Sequence, residues 1–261
     1  MDQEQRRAAC ALLTRHWQEG TQLYALPPDL FPADRADAYQ VQACIEAFTT
    51  APLYGWKIAA TSLAGQRHIG VDGPLAGRLL AERVIADGGI CALGGNLMKV
   101  AELEFAFRMG GDLAPREDPY SQDEVLAQVA TLHPAIELPD SRFADFERAG
   151  LTQLIADNAC AHRFVLGPAA PDAWRALDLA AHPGRVFRNG LLAEEGAGRN
   201  VLGDPRIALT WLANELSRHG VTLKAGQVVT TGTCAKPLPI AAGDRIEGDL
   251  GVLGRVSVSI A

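Results

Sequence analysis

The segment Lys99-Val100-Ala101-Glu102-Leu103-Glu104-Phe105-Ala106-Phe107 holds two glutamates spaced two residues apart. Apolar residues recur in it at the period of a β-strand. Leu103, Phe105 and Phe107 then share one face, and Glu102, Glu104 and Ala106 the other. At the rise of a strand the two glutamates stand about 6.5–7 Å apart along the backbone. On a solvated face such a pair is ordinary. In a cavity the like charges repel and their desolvation is costly, so that one carboxyl is protonated or a cation lies between them. Carboxylate oxygens around a partly hydrated ion suit Mg2+ or Mn2+. Glu137, in Ile136-Glu137-Leu138-Pro139-Asp140-Ser141-Arg142, is the best candidate for a third acid. The residues themselves leave the solvated face and the metal site both open.

Lys57 stands in the apolar stretch Tyr54-Gly55-Trp56-Lys57-Ile58-Ala59-Ala60. It reads either as an edge-strand lysine that guards against aggregation or as a desolvated lysine of lowered pKa that moves protons near neutrality. Gly65 to Pro74 reads as a polar, glycine-rich loop carrying Arg67, His68 and Asp72. It has no GK[ST] ending and is no phosphate loop. His68 is a surface histidine or a pocket residue. Asp157-Asn158-Ala159-Cys160 reads as a polar turn, and Asp140 with Arg142 as a charge pair that is either structural or a support for a metal site.

The elements that must position these residues follow from periodicity and caps. Helices are expected at 2–19, 34–48, 122–131, 144–157 and 205–219, the third from the capping box Ser121-Gln122-Asp123-Glu124 and the last from Asp204-Pro205. Strands are expected at 54–62, 90–93, 99–107, around Glu137, 163–167, 227–231, 245–250 and 254–260. Asn189-Gly190 is a type I′ hairpin signal. Glycines at 226, 232, 243, 248, 251 and 254 suggest sharp bends in a closed or rolled sheet. The pattern is α+β, with an N-terminal helical segment over residues 1–50 and a β-rich domain over 51–261 that carries the candidate catalytic residues.

The chain has 261 residues, 48% hydrophobic and 21% charged, enough for a full core. Its net charge of −7 disfavours nucleic acid and anionic membranes as partners. No apolar window is long enough for a transmembrane helix, and the charged start Met1-Asp2-Gln3-Glu4-Gln5-Arg6-Arg7 lacks a signal-peptide core. Five scattered cysteines without CxxC spacing fit reduced thiols in a cytoplasmic protein.

An ordered set of segments resembles the 2-keto-4-pentenoate hydratase group of the fumarylacetoacetate hydrolase superfamily. The set comprises Tyr39-Gln40-Val41-Gln42, Lys57-Ile58 with Thr61-Ser62, Glu102-Leu103-Glu104 with Phe107, Ile136-Glu137, and Asp140-Ser141-Arg142. It continues with Ala156-Asp157-Asn158-Ala159, Asn189-Gly190, Trp211-Leu212-Ala213-Asn214, Thr231-Gly232-Thr233 and Gly243-Asp244. The resemblance implies a mixed β-sandwich or β-roll, a homo-oligomer, a complex with a related decarboxylase in some members, and a Mg2+ or Mn2+ site at Glu102, Glu104 and Glu137. It makes Lys57 the catalytic lysine; His68 and Asp157, in the two polar loops read as lining the substrate pocket, are the further catalytic candidates. The sequence departs from the family pattern at Ala59, at Leu75-Ala76 and at Cys160, all around the substrate. The implied reaction is hydration of a 2-hydroxy-2,4-dienoate to a 4-hydroxy-2-oxo acid in aromatic catabolism. Decarboxylation of a 2-oxo-dioate of the 4-oxalocrotonate type, or hydrolysis of an acylpyruvate C–C bond, are the alternatives, since each proceeds through the same stabilised enolate.

Overall fold

The computed structural model describes residues 1–261. Helices α1 (Gln3–Glu19) and α2 (Arg35–Ala43) come first, followed by strand β1 (Gly55–Ala59), helix α3 (Leu63–His68), and strands β2 (Leu75–Leu79), β3 (Val84–Ile85), β4 (Ile90–Cys91) and β5 (Val100–Met109). Helix α4 (Gln122–Ala127), strand β6 (Val129–Leu138), helix α5 (Leu151–Ala156) and strands β7 (Arg163–Leu166), β8 (Pro183–Arg188) and β9 (Leu191–Ala197) follow. Helix α6 (Pro205–Arg218) and strands β10 (Val228–Thr233), β11 (Leu238–Pro239), β12 (Arg245–Asp249) and β13 (Arg255–Ile260) complete the chain.

Two mixed sheets result. The larger runs β2-β1-β10-β5-β6-β7-β3 with β11 beside β5, and the smaller runs β4-β13-β12-β8-β9. β1 is parallel to β10, β3 to β7 and β4 to β13, while the remaining pairings are antiparallel. This is the α+β, mixed-sheet architecture expected from the sequence.

The alternation read in β5 sets the layers. Leu103, Phe105 and Phe107 are fully buried on the side of the smaller sheet. Leu103 lies so close to β12 that a Cβ on Gly248 would stand 2.4 Å from its Cδ1. Phe105 meets the His182 ring edge-on at 6.2 Å, and Phe107 meets Trp174 at 5.8 Å. The opposite face carries the acids. Apolar residues of α1 and α2, among them Ala9, Leu13, Ala38 and Val41, join the same continuous core as Trp56 and Ile58 of β1.

Several boundaries differ from expectation, each for a local reason. The capping box at Ser121 is present, but α4 ends at Ala127 and the chain enters β6 at Val129, where pairing with β5 over the whole strand outweighs local helix propensity. Residues 63–68 form a helix and not a loop, because Ser62 caps it by accepting the Gly65 N–H at 3.0 Å. α2 stops at Ala43 and tightens into a 3-10 turn over Cys44–Phe48. The expected helix at 144–157 is confined to α5, behind Gly150 at φ +82°. β1 ends at Ala59, before Ala60 at φ +58°. The Asn189-Gly190 turn has φ values of +53° and +81°, as a type I′ hairpin requires. No helix is long and apolar enough to cross a membrane.

Because Phe105 joins the two sheets, Phe105→Ala is expected to cost about 3–5 kcal/mol. A chemical-denaturation midpoint within error of the parent would refute this account of the core.

Candidate metal centre

Glu102 of β5 is directly opposite Glu137 of β6 in the antiparallel register, and Glu104 lies opposite Ala135. Like charges facing one another across a ladder are unfavourable unless something compensates them. Here the three carboxylates converge, with ligand oxygens all within 4.8 Å of one another. Glu104 and Glu137 have no exposed surface, while Glu102 is half-buried. The solvated-face reading of the glutamate pair is therefore not what the chain adopts.

Glu104 is held from below by β10. Its Oε2 accepts the hydroxyl of Thr230 and the N–H of Gly232, the latter at 2.7 Å. Both donors exist because β10 bulges between Thr230 and Thr233. Gly232 sits at φ +99°, and a Cβ there would lie 2.0 Å from Thr61 Oγ1. Glu104 Oε1 and Glu137 Oε1 are buried and accept no hydrogen bond. Orphaned, converging carboxylate oxygens form a hard, anionic donor set, which fits a divalent cation with oxygen preference.

Lys57 is 2% exposed and belongs to an interior strand, between β2 and β10, so the edge-strand reading is excluded. Its Nζ is 2.9 Å from Glu137 Oε2 and donates to the Ala159 carbonyl at 3.0 Å. Burial alone would depress its pKa, but Glu137, then Glu102, with a smaller share from Glu104, push it above the ordinary lysine value. This corrects the expected lowered pKa: the desolvated lysine is an ammonium because three carboxylates surround it. Burial raises the pKa of all three acids, against the pull of Lys57.

The Ala159 carbonyl is aimed by an unusual turn. Asn158, Ala159 and Cys160 have φ values of +58°, +50° and +61°. Asn tolerates this region, whereas Ala and Cys are strained there by about 1–3 kcal/mol each. Asp157, 3% exposed, fastens the start of the turn, its Oδ2 accepting Ser141 Oγ and Arg142 N at 2.7 Å each. Burial raises its carboxyl to about 7, against those two donors. Asp140 and Arg142 form a buried ion pair, and Asp140 Oδ1 also accepts Leu97 N at 2.8 Å. The Cys160 thiol is pushed up to about 12 by burial, then by Asp157.

His68 goes elsewhere. The short helix α3 carries it to the surface, with its ring on Phe146 at 6.0 Å and its Nε2 3.7 Å from Glu147. Of the two readings left open by the sequence, the surface histidine is what the chain adopts, and the catalytic role expected of His68 in a pocket loop is not supported by its position. The Ser62 cap turns that segment into a helix and removes His68 from the acid cluster. Thr230 and Gly77 of β2 were assigned no role from sequence, while Gly232 was read only as a sheet bend and Asn158 only as part of a polar turn. The available signal was a glycine inside a strand, which marks a bulge or a close backbone approach. A Cβ on Gly77 would stand 2.3 Å from the Asn158 carbonyl oxygen and 3.1 Å from Lys57 Cγ.

Two expectations follow. Glu137 is raised from 4.5 to about 7 and Asp157 from 3.8 to about 7, so the fold retains protons that the unfolded chain has released. Their contribution to stability is complete below the unfolded values and is lost as pH rises through about 7. The thermal midpoint of the cation-free protein is therefore expected to fall across that window. Divalent cation should reverse the Glu137 part and release protons on binding, measurable by calorimetry in buffers of different ionisation enthalpy. A midpoint that is flat with pH and a proton-neutral titration would contradict this. Gly232→Ala is expected to weaken cation affinity by distorting the bulge under Glu104, and unchanged affinity in a calorimetric titration would show that the bulge does not set the site.

Comparison with known proteins bears on the family and the fold. Residues 84–261 match the family model described as fumarylacetoacetate (FAA) hydrolase C-terminal. The chain is 34% identical over 257 residues to 2-keto-4-pentenoate hydratase 1 of Dechloromonas aromatica (strain RCB), covering 97% of this chain and 96% of that one. It is 35% identical over 206 residues to 2-hydroxyhexa-2,4-dienoate hydratase of Comamonas testosteroni, covering 78% of this chain and 76% of that one. Among solved structures, 4-oxalocrotonate decarboxylase from Pseudomonas putida G7, complexed with magnesium and adipate, superposes with a TM-score of 0.90 at 28% identity, covering 100% of this chain and 99% of that one. The chain thus belongs to the fumarylacetoacetate hydrolase superfamily, in its 2-keto-4-pentenoate hydratase group.

Proposed function

We propose that the protein is a divalent-metal-dependent hydro-lyase that adds water to a 2-hydroxy-2,4-dienoate of the 2-keto-4-pentenoate type, yielding a 4-hydroxy-2-oxo acid in the breakdown of aromatic compounds. The observation that carries this reading is the buried convergence of Glu102, Glu104 and Glu137 beside one ammonium, in a chain alike over 97% of its length to a named hydratase. Glu102, Glu104 and Glu137 would hold Mg2+ or Mn2+, which would supply Lewis acidity toward the 2-oxo acid and a sink for enolate charge.

The chain's own residues supply the rest. Lys57 carries its proton at Nζ, in a fixed place between Glu137 Oε2 and the Ala159 carbonyl. It is the acid that gives that proton to the dienol carbon during ketonisation, and the neutral amine so formed takes up the proton that leaves the 2-hydroxyl, which restores the ammonium before water adds to the enone. In the cation-free chain the neighbouring carboxylates, Glu137 first, keep Nζ charged against its burial. The buried Asp157 holds the turn that carries Ala159, so its role is positioning. His68, exposed on α3, has no part in this reading.

A second reading, decarboxylation of a 2-oxo-dioate, is favoured by the likeness to 4-oxalocrotonate decarboxylase over the whole chain. Acylpyruvate hydrolysis needs a base that aims water at a carbonyl. The histidine–glutamate pairs present, His68 with Glu147 and His219 with Glu215, do not contact the acid cluster. A cytoplasmic homo-oligomer is part of the proposal. Five free cysteines support the compartment, and the oligomer is carried by the family resemblance.

Cation-loaded protein incubated with a dienoate and with a 2-oxo-dioate separates the reactions by product mass. Gain of one water supports the hydratase, loss of CO2 without water replaces it by the decarboxylase, and two carbon fragments replace it by the hydrolase. Lys57→Met is expected to lower kcat by about 10²–10⁴-fold while the cation-loaded protein stays folded. Turnover near that of the parent would remove Lys57 from the chemistry.

A further inference from the structure

We propose that Asn158 is a positioning residue for Lys57: its side-chain amide clips the left-handed turn at 158–160 onto β2, so that the Ala159 carbonyl holds the ammonium at the acid cluster. The proposal rests on the reading of Lys57 as the proton carrier.

Asn158 is 2% exposed. Its Oδ1 accepts the Arg78 N–H at 2.6 Å, and its Nδ2 donates to the Arg78 carbonyl at 2.9 Å. The side-chain amide thereby pairs with β2 as a neighbouring strand's peptide would. Both partners are backbone atoms of one residue, which settles the amide's orientation. β2 pairs with β1 in the register Lys57↔Gly77 and Trp56↔Arg78, so the clip is fixed one residue from the position opposite Lys57.

The missing side chain at Gly77 is what lets the turn lie there. A Cβ would collide with the Asn158 carbonyl oxygen and crowd Lys57 Cγ. The turn is tied at its other points as well. Asp157 holds Ser141 and Arg142, the Cys160 carbonyl accepts the Asp140 N–H at 3.0 Å, and Gln42 donates to the carbonyls of Ala76 and Ile155 at 2.8 Å each. The Ala159 carbonyl is the group this frame aims at Lys57. Ala159 and Cys160 have no side-chain chemistry that favours a positive φ. The Asn158 clip is the specific bond that keeps the backbone there, against relaxation that would withdraw the carbonyl from Nζ.

The test is Asn158→Gly. Glycine accepts the positive φ without strain, so the variant removes the clip and leaves the turn's conformation allowed. With Nζ no longer fixed, kcat is expected to fall about 10- to 100-fold, while KM, cation affinity and cation stoichiometry stay at the parent's values. A parent-like kcat overturns the proposal. A fall in kcat accompanied by loss of cation affinity and of the thermal midpoint also overturns it, because that is the signature of general structural support. If Asn158→Gly does not fold, Asn158→Asp is read in the same way, since it keeps the acceptor for Arg78 N–H and loses the donor. Lys57→Met is measured alongside. If it turns over at the parent's rate while Asn158→Gly does not, Asn158 does not act through Lys57 and the proposal fails; that result separately removes the reading of Lys57 as proton carrier.

Discussion

Two carboxylates and one ammonium have been taken out of water, with a third, half-buried carboxylate within a few ångströms of them, and everything around them answers to that imbalance. Desolvation makes each charge expensive. The Lys57–Glu137 pair compensates one negative charge and leaves the others. The ladder contributes Thr230 and Gly232 to a single oxygen of Glu104, and nothing of the fold reaches its other oxygen. A chain seeking only stability would fill this space with apolar side chains, as it does beside the acids on the same face with Ala106, Ala135, Phe164 and Val228. The acid cluster is thus a local departure from the packing logic of its own sheet, which is the usual mark of a functional site.

The scaffold holds these charges with backbone rather than with further side chains. The β10 bulge aims one N–H, the 158–160 turn aims one carbonyl, and the glycines at 77 and 232 make room for close approach. Main-chain donors and acceptors do not reorient when substrate and solvent exchange. They suit a site whose charge changes during the reaction, because little reorganisation is left to be done at that moment.

The sequence revealed parts of this to different depths. Glu102 and Glu104 were legible because a strand's period of two puts them on one face whatever the surroundings. Whether that face met solvent was not legible, since it depends on β6 and β10, far away in the chain. Glu137 and Lys57 were candidates from their own segments, and the resemblance assigned both to one site. The sign of the Lys57 shift was misread because burial was weighed without the carboxylates that only the fold brings near. His68 was misread for a local reason, the Ser62 cap. The roles of Asn158 and Gly232 stayed hidden because each is a contact between a turn or bulge and a partner far off in sequence, Arg78 for one and Glu104 for the other.

The position of β10 has a consequence for how the chain comes into being. β10 begins at Val228, yet it lies between β1 and β5, flanked by Lys57 on one side and Glu104 on the other. During synthesis both of those strands emerge long before the strand that separates them. Until it inserts, the larger sheet has a gap at its centre, with unpaired edges on β1 and β5, and Glu104 lacks the donors of β10. Such edges are open to pairing with other chains. Contacts so far apart in sequence also form slowly. The nascent polypeptide therefore has no finished acid cluster to offer a metal ion, and the interval before β10 docks is when it is most exposed to aggregation.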